Sequence, residues 1–323
     1  MKMRKKRQNA WIFLVWALNG IVAVCLFAVA AFYLTNRSAS AIAPVATPSP
    51  VSNVNADAAP TQHILPTLTP NPFYTPFVFE SATPFHLQNG PSSIIIGYSL
   101  MGRPIEAYTF GDGEREYLVV AGIHGGYEWN TIELADELII YFNDHPEAIP
   151  DRAKLHIIRN MNPDGEARIH GVDGRVNNNG VDLNRNFPSD NWVAEWDRDG
   201  CWIYRPTTGG LYGGSEPETQ TIMKFIEARS IAALISYHSA ALGVFPGGAP
   251  WTRESKKLAA LLAKETRYSY PPIDTGCEYT GTLADWAVEN GVGAAVDMEL
   301  RDHKNTDFTA NLKAVQALLN FTP

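Results

Sequence analysis

From about Ser92 onward, short apolar runs alternate with amphipathic stretches of helical period, and this alternation restricts the fold more than any other feature. The strand-like runs are Ile94–Ile96, Ile105–Phe110, Tyr117–Ile123, Lys154–Arg159, Ile231–Tyr237 and Ala294–Leu300. Several are continuous in Val, Ile, Leu and Ala, as strands buried on both faces require. The helical stretches are Thr131–Phe142, Glu218–Arg229, Thr252–Tyr268, Leu283–Asn290 and Phe308–Asn320. Ser215-Glu216-Pro217-Glu218 places proline and acids in a first turn, which marks a helix start. The pattern predicts an α/β domain with a mixed, mostly parallel central sheet flanked by helices. Its 232 residues, 92–323, suffice for one large core.

The first 91 residues are built differently. Residues 1–10 form a basic tail expected in the cytoplasm, followed by an apolar run from Trp11 to Leu34. Those 24 residues reach across a hydrocarbon core of about 30 Å as a helix. Five bases before the run and one soon after it orient a membrane anchor with the body outside. The alternative is a signal peptide cleaved near Ala39-Ser40-Ala41, but the run is longer than a signal core of about 7–15 residues. Residues 35–91 hold ten of the 22 prolines and read as an extended stalk, because proline fixes φ and removes a donor.

Charge narrows the partners. Residues 1–91 carry six bases and two acids, leaving 20 bases and 32 acids, a net of −12, for residues 92–323. An acidic body excludes the phosphate-neutralising surface that nonspecific nucleic-acid binding needs. No G-x-S-x-G elbow, Walker A loop or strand-following G-x-G-x-x-G is present, so serine-hydrolase and nucleotide chemistry have no support.

In open α/β sheets functional groups lie just beyond the carboxyl ends of strands. His124-Gly125-Gly126-Tyr127-Glu128 follows one run, and Asn160 to Gly165 follows the next. His238-Ser239 follows a third, and Glu299 lies in the last. Two histidines and one glutamate form a known ligand set for catalytic zinc, and a second glutamate can serve as general base. His63, His86, His145, His156, His170 and His303 have no such pattern and read as structural.

Taken together, the pieces resemble the zinc carboxypeptidase family of the carboxypeptidase A type over about residues 92–323. They are His124 with Glu128, Asn162-Pro163-Asp164-Gly165, Gly180 through Phe187, Glu216-Pro217-Glu218, Ser236 through Ser239, and Glu299-Leu300-Arg301-Asp302, in the family's order. The short loop before Gly180 is closer to the bacterial murein-peptide branches. The resemblance implies one Zn²⁺ per chain, bound by His124, Glu128 and His238, with Asp182 orienting His124. It implies that Asn184 and Arg185 hold a substrate's terminal carboxylate, that Arg175 polarises the scissile carbonyl, and that Tyr279 closes over the substrate. Glu299 would take the proton from zinc-bound water and pass it to the leaving amine.

The implied activity is a membrane-anchored, extracytoplasmic metallocarboxypeptidase acting on peptide or protein C-termini. A cell-wall peptide hydrolase on γ-glutamyl or diaminopimelyl bonds and an inactive binding module are the alternatives. One departure is that Glu128 follows His124 by four residues where the family spaces the pair H-x-x-E, and Gly125-Gly126 can absorb the extra residue. The spacing from Tyr279 to Asp285-Trp286 is also shorter than usual. Cys201 and Cys277, in a body placed outside the cytoplasm, are expected to form a disulfide. Leu283 and Ala284, before the Asp-Trp pair, are expected to line an uncharged pocket for the terminal side chain, with Asp274, Glu278 or Asp285 as other sources of charge.

Overall fold

The first two runs form an antiparallel pair, β1 (Ile94–Tyr98) and β2 (Pro104–Phe110), and the third forms β3 (Arg115–Val120). The computed structural model describes residues 93–196, 207–240, 243–274 and 276–323. The expected anchor, stalk and Cys201 lie outside these residues. After β3 come α1 (Trp129–Asp144), β4 (Ala153–Ile158), α2 (Pro163–Arg168) and a small pair, β5 (Glu195–Trp196) and β6 (Thr207–Thr208). The chain continues through α3 (Pro217–Glu227), β7 (Ile231–Ser239), β8 (Gly243–Pro246), α4 (Arg253–Thr266), α5 (Leu283–Glu289), β9 (Ala295–Leu300) and α6 (Phe308–Leu318).

The main sheet has seven strands in the order β1-β2-β4-β3-β7-β9-β8. It is mixed, as expected, but parallel only among the central strands β4, β3, β7 and β9. The ladders β1–β2, β2–β4 and β8–β9 are antiparallel, so "mostly parallel" holds for the centre and not for the edges. Connection length is the physical reason. A parallel partner needs a crossover of about a dozen residues or more, whereas Ser99–Arg103 alone reverses the chain from β1 to β2, residues 111–114 from β2 to β3 and residues 240–242 from β7 to β8. β2 and β8 therefore run against β4 and β9, the parallel neighbours of β3 and β7.

Strand alternation divides the core between the two faces of the sheet. Tyr117, Val119, Ile157, Ile235, Val296 and Met298 pack with Leu138, Leu262 and Leu318 of α1, α4 and α6. Leu118, Val120, Ile158, Leu234 and Ala295 pack with Phe225 of α3 and Trp286 of α5 on the other face. Because the central strands run parallel, their carboxyl ends emerge along one edge, and the residues after β3, β4, β7 and β9 meet there. Among the described residues no helix is long and apolar enough to cross a membrane.

Candidate metal centre

His124 lies in the turn between β3 and α1, and His238 in the last turn-facing positions of β7. Glu128 immediately precedes α1. All three are 2 % exposed. Their donor atoms converge: Glu128 Oε1 is 2.8 Å from His124 Nδ1, and Glu128 Oε2 is 3.1 Å from His238 Nδ1. The two Nδ1 atoms are 3.2 Å apart. Bonds of about 2.0–2.1 Å in a tetrahedral zinc site put neighbouring ligand atoms about 3.3 Å apart, so the donor set fits zinc in type and spacing.

Proton bookkeeping points the same way. His124 Nε2 is 3.0 Å from Asp182 Oδ1, while its Nδ1 faces Glu128. Both carboxylates only accept, so His124 Nε2–H donates to Asp182 and Nδ1 must carry either a second proton or a cation to face Glu128. His238 Nε2 is turned away from the centre toward Ser236 Oγ at 3.1 Å and Asp297 Oδ1 at 3.7 Å. Burial opposes charge on His238, but Asp297 and Glu128 outweigh it and push its pKa up to about 10. Burial would also raise Asp182, yet Arg175, His124 and Arg185 hold its carboxyl well below the usual range.

The two glycines after His124 make the four-residue spacing work. Gly125 has a φ of 41°, and the Glu128 amide returns to the His124 carbonyl at 3.4 Å. A Cβ on Gly126 would stand 2.0 Å from the carbonyl oxygen of Ile169 and 2.8 Å from that of Gly165. Those are backbone atoms that cannot rotate away. Gly126→Ala is therefore expected to displace the loop, lowering both zinc content and melting temperature. Unchanged zinc binding by that variant would show that the loop has another conformation available.

Asp182 begins the second half of the site. Its Oδ1 accepts the Asn184 amide at 3.0 Å, capping a single 3₁₀ turn over Leu183–Arg185. Its Oδ2 accepts Arg175 Nε at 2.8 Å, and Arg175 Nη1 reaches Glu128 Oε1 at 3.3 Å. Asn177 donates to Glu216 at 2.7 Å, and Glu216 takes its own amide proton to Asn186 at 3.1 Å, so this buried network pins the loop. The Asn162-Pro163-Asp164-Gly165 motif is likewise structural. Asn162 caps α2 and donates to the Arg175 carbonyl at 3.1 Å, while Asp164 receives Ser99, Met101 and Arg103.

These walls enclose a cavity of about 580 Å³. His124, Glu128, His238, Arg175, Asn184, Arg185, Tyr279 and Glu299, every expected residue except Asp182 behind them, line it. Strand register explains Glu299, which sits directly opposite His238 in the β7–β9 ladder. Asn184 lies beside the centre, its Nδ2 3.2 Å from His238 Nε2 and its Oδ1 accepting the Leu283 amide at 2.9 Å. The Arg185 guanidinium lies 5.1 Å from the Tyr279 ring centre. Cys277 is disulfide-bonded and also lines the cavity.

Two readings of the pocket change. Leu283 and Ala284 are buried in the core at 0 % and 2 % exposure rather than in the cavity wall. The wall does carry further charge, from Asp285, which the sequence left open, and from Asp297, which it did not indicate; the exposed Lys256 also lines it. Asp285 accepts the Gly248 amide at 2.7 Å, and burial, with Asp297 nearby, raises its pKa. His303, read as structural, is also part of the cavity wall. Asp297 was legible only through the period of two from Glu299, and His303 through no local pattern.

A family model described as zinc carboxypeptidase matches residues 90–318. Murein peptide amidase A of Escherichia coli is 31% identical over 159 residues, covering 46% of this chain and 59% of that protein. Gamma-D-glutamyl-L-diamino acid endopeptidase 1 of Lysinibacillus sphaericus is 24% identical over 269 residues, covering 70% and 63%. The chain thus spans about three fifths of the length of these curated relatives. The crystal structure of murein-tripeptide amidase from Escherichia coli superposes with a TM-score of 0.55 at 25% identity, covering 72% of this chain and 93% of that one. With the match over most of the domain and a donor set that fits the metal, the chain belongs to the zinc carboxypeptidase family.

Proposed function

We propose that the chain is a metallocarboxypeptidase that removes a C-terminal residue bearing an amino group in its side chain. The observation that carries the reaction class is the convergence of three buried donor atoms 2.8–3.2 Å apart beside a cavity. Zinc, held by His124, Glu128 and His238, supplies Lewis acidity toward a carbonyl oxygen and lowers the pKa of water. Glu299 takes a proton from water and returns it to the departing amine. Arg175 lies against the centre, and its guanidinium stabilises negative charge developing on the scissile oxygen. Asn184 and Arg185 receive the terminal carboxylate, for which the planar guanidinium is suited, and Tyr279 covers it.

Asp285 and Asp297 support the side-chain preference, because both line the cavity and, among the described residues, neither forms a hydrogen bond or ion pair with an arginine or lysine. A diamino-acid terminus meets the same requirement, and the murein-peptide and γ-D-glutamyl relatives favour a cell-wall peptide as its source. The intact donor set argues against an inactive binding module. We also propose that residues 11–34 anchor the enzyme with its body outside the cytoplasm, on the length of the run and its basic flank. The test uses the zinc-loaded full chain on blocked dipeptides ending in Lys, a diamino acid, Leu or Phe. At least about tenfold higher kcat/KM for the amine-bearing ends is expected, collapsing in Asp297→Asn; a preference for Leu or Phe would overturn the assignment.

A further inference from the structure

We infer that His303 is a substrate-contacting residue whose Nε2 accepts a hydrogen bond from a backbone N–H of the peptide on the N-terminal side of the cleaved bond. The inference rests on the peptidase reading above and deepens it.

The tautomer of His303 follows from a chain of donors and acceptors that begins in the core. Asn130, 0 % exposed, donates its amide to the carbonyls of Asp302 at 2.7 Å and Asn305 at 2.9 Å. Both amide protons are committed, so Oδ1 is the acceptor it offers to Ser239 Oγ at 3.0 Å. A hydroxyl has one proton. Having given it to Asn130, Ser239 can only accept from His303 Nδ1, which lies 3.0 Å away. Nδ1 therefore carries the hydrogen, and the lone pair is on Nε2.

The ring is also held in place. It lies 4.5 Å from the Tyr127 ring, centre to centre, at 46°. Burial lowers the ring's pKa, which favours the neutral form that this chain of bonds defines. Nε2 has no hydrogen-bond partner among the described residues, and the residue lines the cavity. A fixed acceptor in a substrate cavity calls for a donor from the substrate.

Position decides which part of the peptide supplies it. The terminal residue is taken by the wall where Arg185 stands against Tyr279. His303 belongs to the wall of Tyr127, Ser239 and the β9 exit. That wall is left for residues preceding the cleaved bond, whose regular donors are backbone amides.

The experiment compares the zinc-loaded full chain with His303→Phe, which keeps an aromatic ring against Tyr127, and His303→Gln, which restores an acceptor. Each is assayed on a blocked dipeptide and on its analogue N-methylated at the amide preceding the scissile residue pair. N-methylation is expected to lower kcat/KM of the parent about fivefold, the worth of one neutral hydrogen bond. It should matter little to His303→Phe, with His303→Gln in between. Equal losses in the parent and in His303→Phe, with the enzymes active, would overturn the role of His303 and leave the peptidase reading intact. A chain that holds zinc and cleaves none of the peptides would overturn the peptidase reading, and this inference with it. If His303→Phe does not fold, parent and His303→Gln carry the comparison, and identical selectivity together with unchanged turnover on substituting Ala at 303 would count against the inference.

Discussion

Glu299→Gln is expected to lower kcat by on the order of 10³ and to leave zinc content at the parent level. Glutamine keeps the shape of the side chain but cannot take a proton, and a positioned general acid–base group contributes typically about 10²–10⁴. A thousandfold loss corresponds to about 4 kcal/mol of barrier. The separation of rate from metal content follows from register: Glu299 lies opposite His238 and lines the cavity, whereas the converging donors are those of His124, Glu128 and His238. Steady-state kinetics beside zinc analysis of the same sample checks it. An unchanged kcat would assign proton transfer to another group; a loss of zinc would make Glu299 part of the metal's support.

Glu128→Ala is expected to have the larger effect, because it removes a donor of the centre itself. The carboxylate is the one anionic donor of the three, and it separates two imidazole nitrogens that otherwise face each other at 3.2 Å. Losing a partner of a metal-bound histidine typically costs about 10–100-fold in affinity, so losing a ligand should cost more, and turnover is expected to fall below detection at one equivalent of zinc. The variant also leaves Arg175 Nη1 without its contact to Glu128, although Asp182 still accepts Arg175 Nε. Breaking a buried pair outright costs about 3–5 kcal/mol, and the surviving bond keeps the loss below that, so the fold persists. Competition against a chelator measures the affinity, and thermal unfolding checks the fold. Parent-like zinc affinity would show that the four-residue spacing had placed Glu128 outside the ligand set.

The sequence located the main elements because the signal was local. The continuous runs of β3, β7 and β9 are buried on both faces, and the strand-end rule then selected His124, His238 and Glu299 from eight histidines and many carboxylates. β8 escaped it, being four residues long and ending in Pro246, too short for a periodicity and hostile to a central strand. The antiparallel edges were hidden for a related reason, since direction is set by connection length and not by composition. Leu283 and Ala284 do not line the cavity because they follow the Thr282 cap into a buried helix, while Asp285 on the same helix does. His303 was beyond sequence reasoning altogether. Its meaning depends on Asn130 and Ser239, which are distant in the chain and joined only by the fold.

The most direct test is zinc-dependent hydrolysis of blocked dipeptides by the full chain. Chelation is expected to abolish turnover, and one equivalent of zinc to restore it. A chain that binds one zinc without cleaving any peptide, or that cleaves peptides at full rate with the metal removed, would contradict the assignment of His124, Glu128 and His238 as a catalytic metal centre.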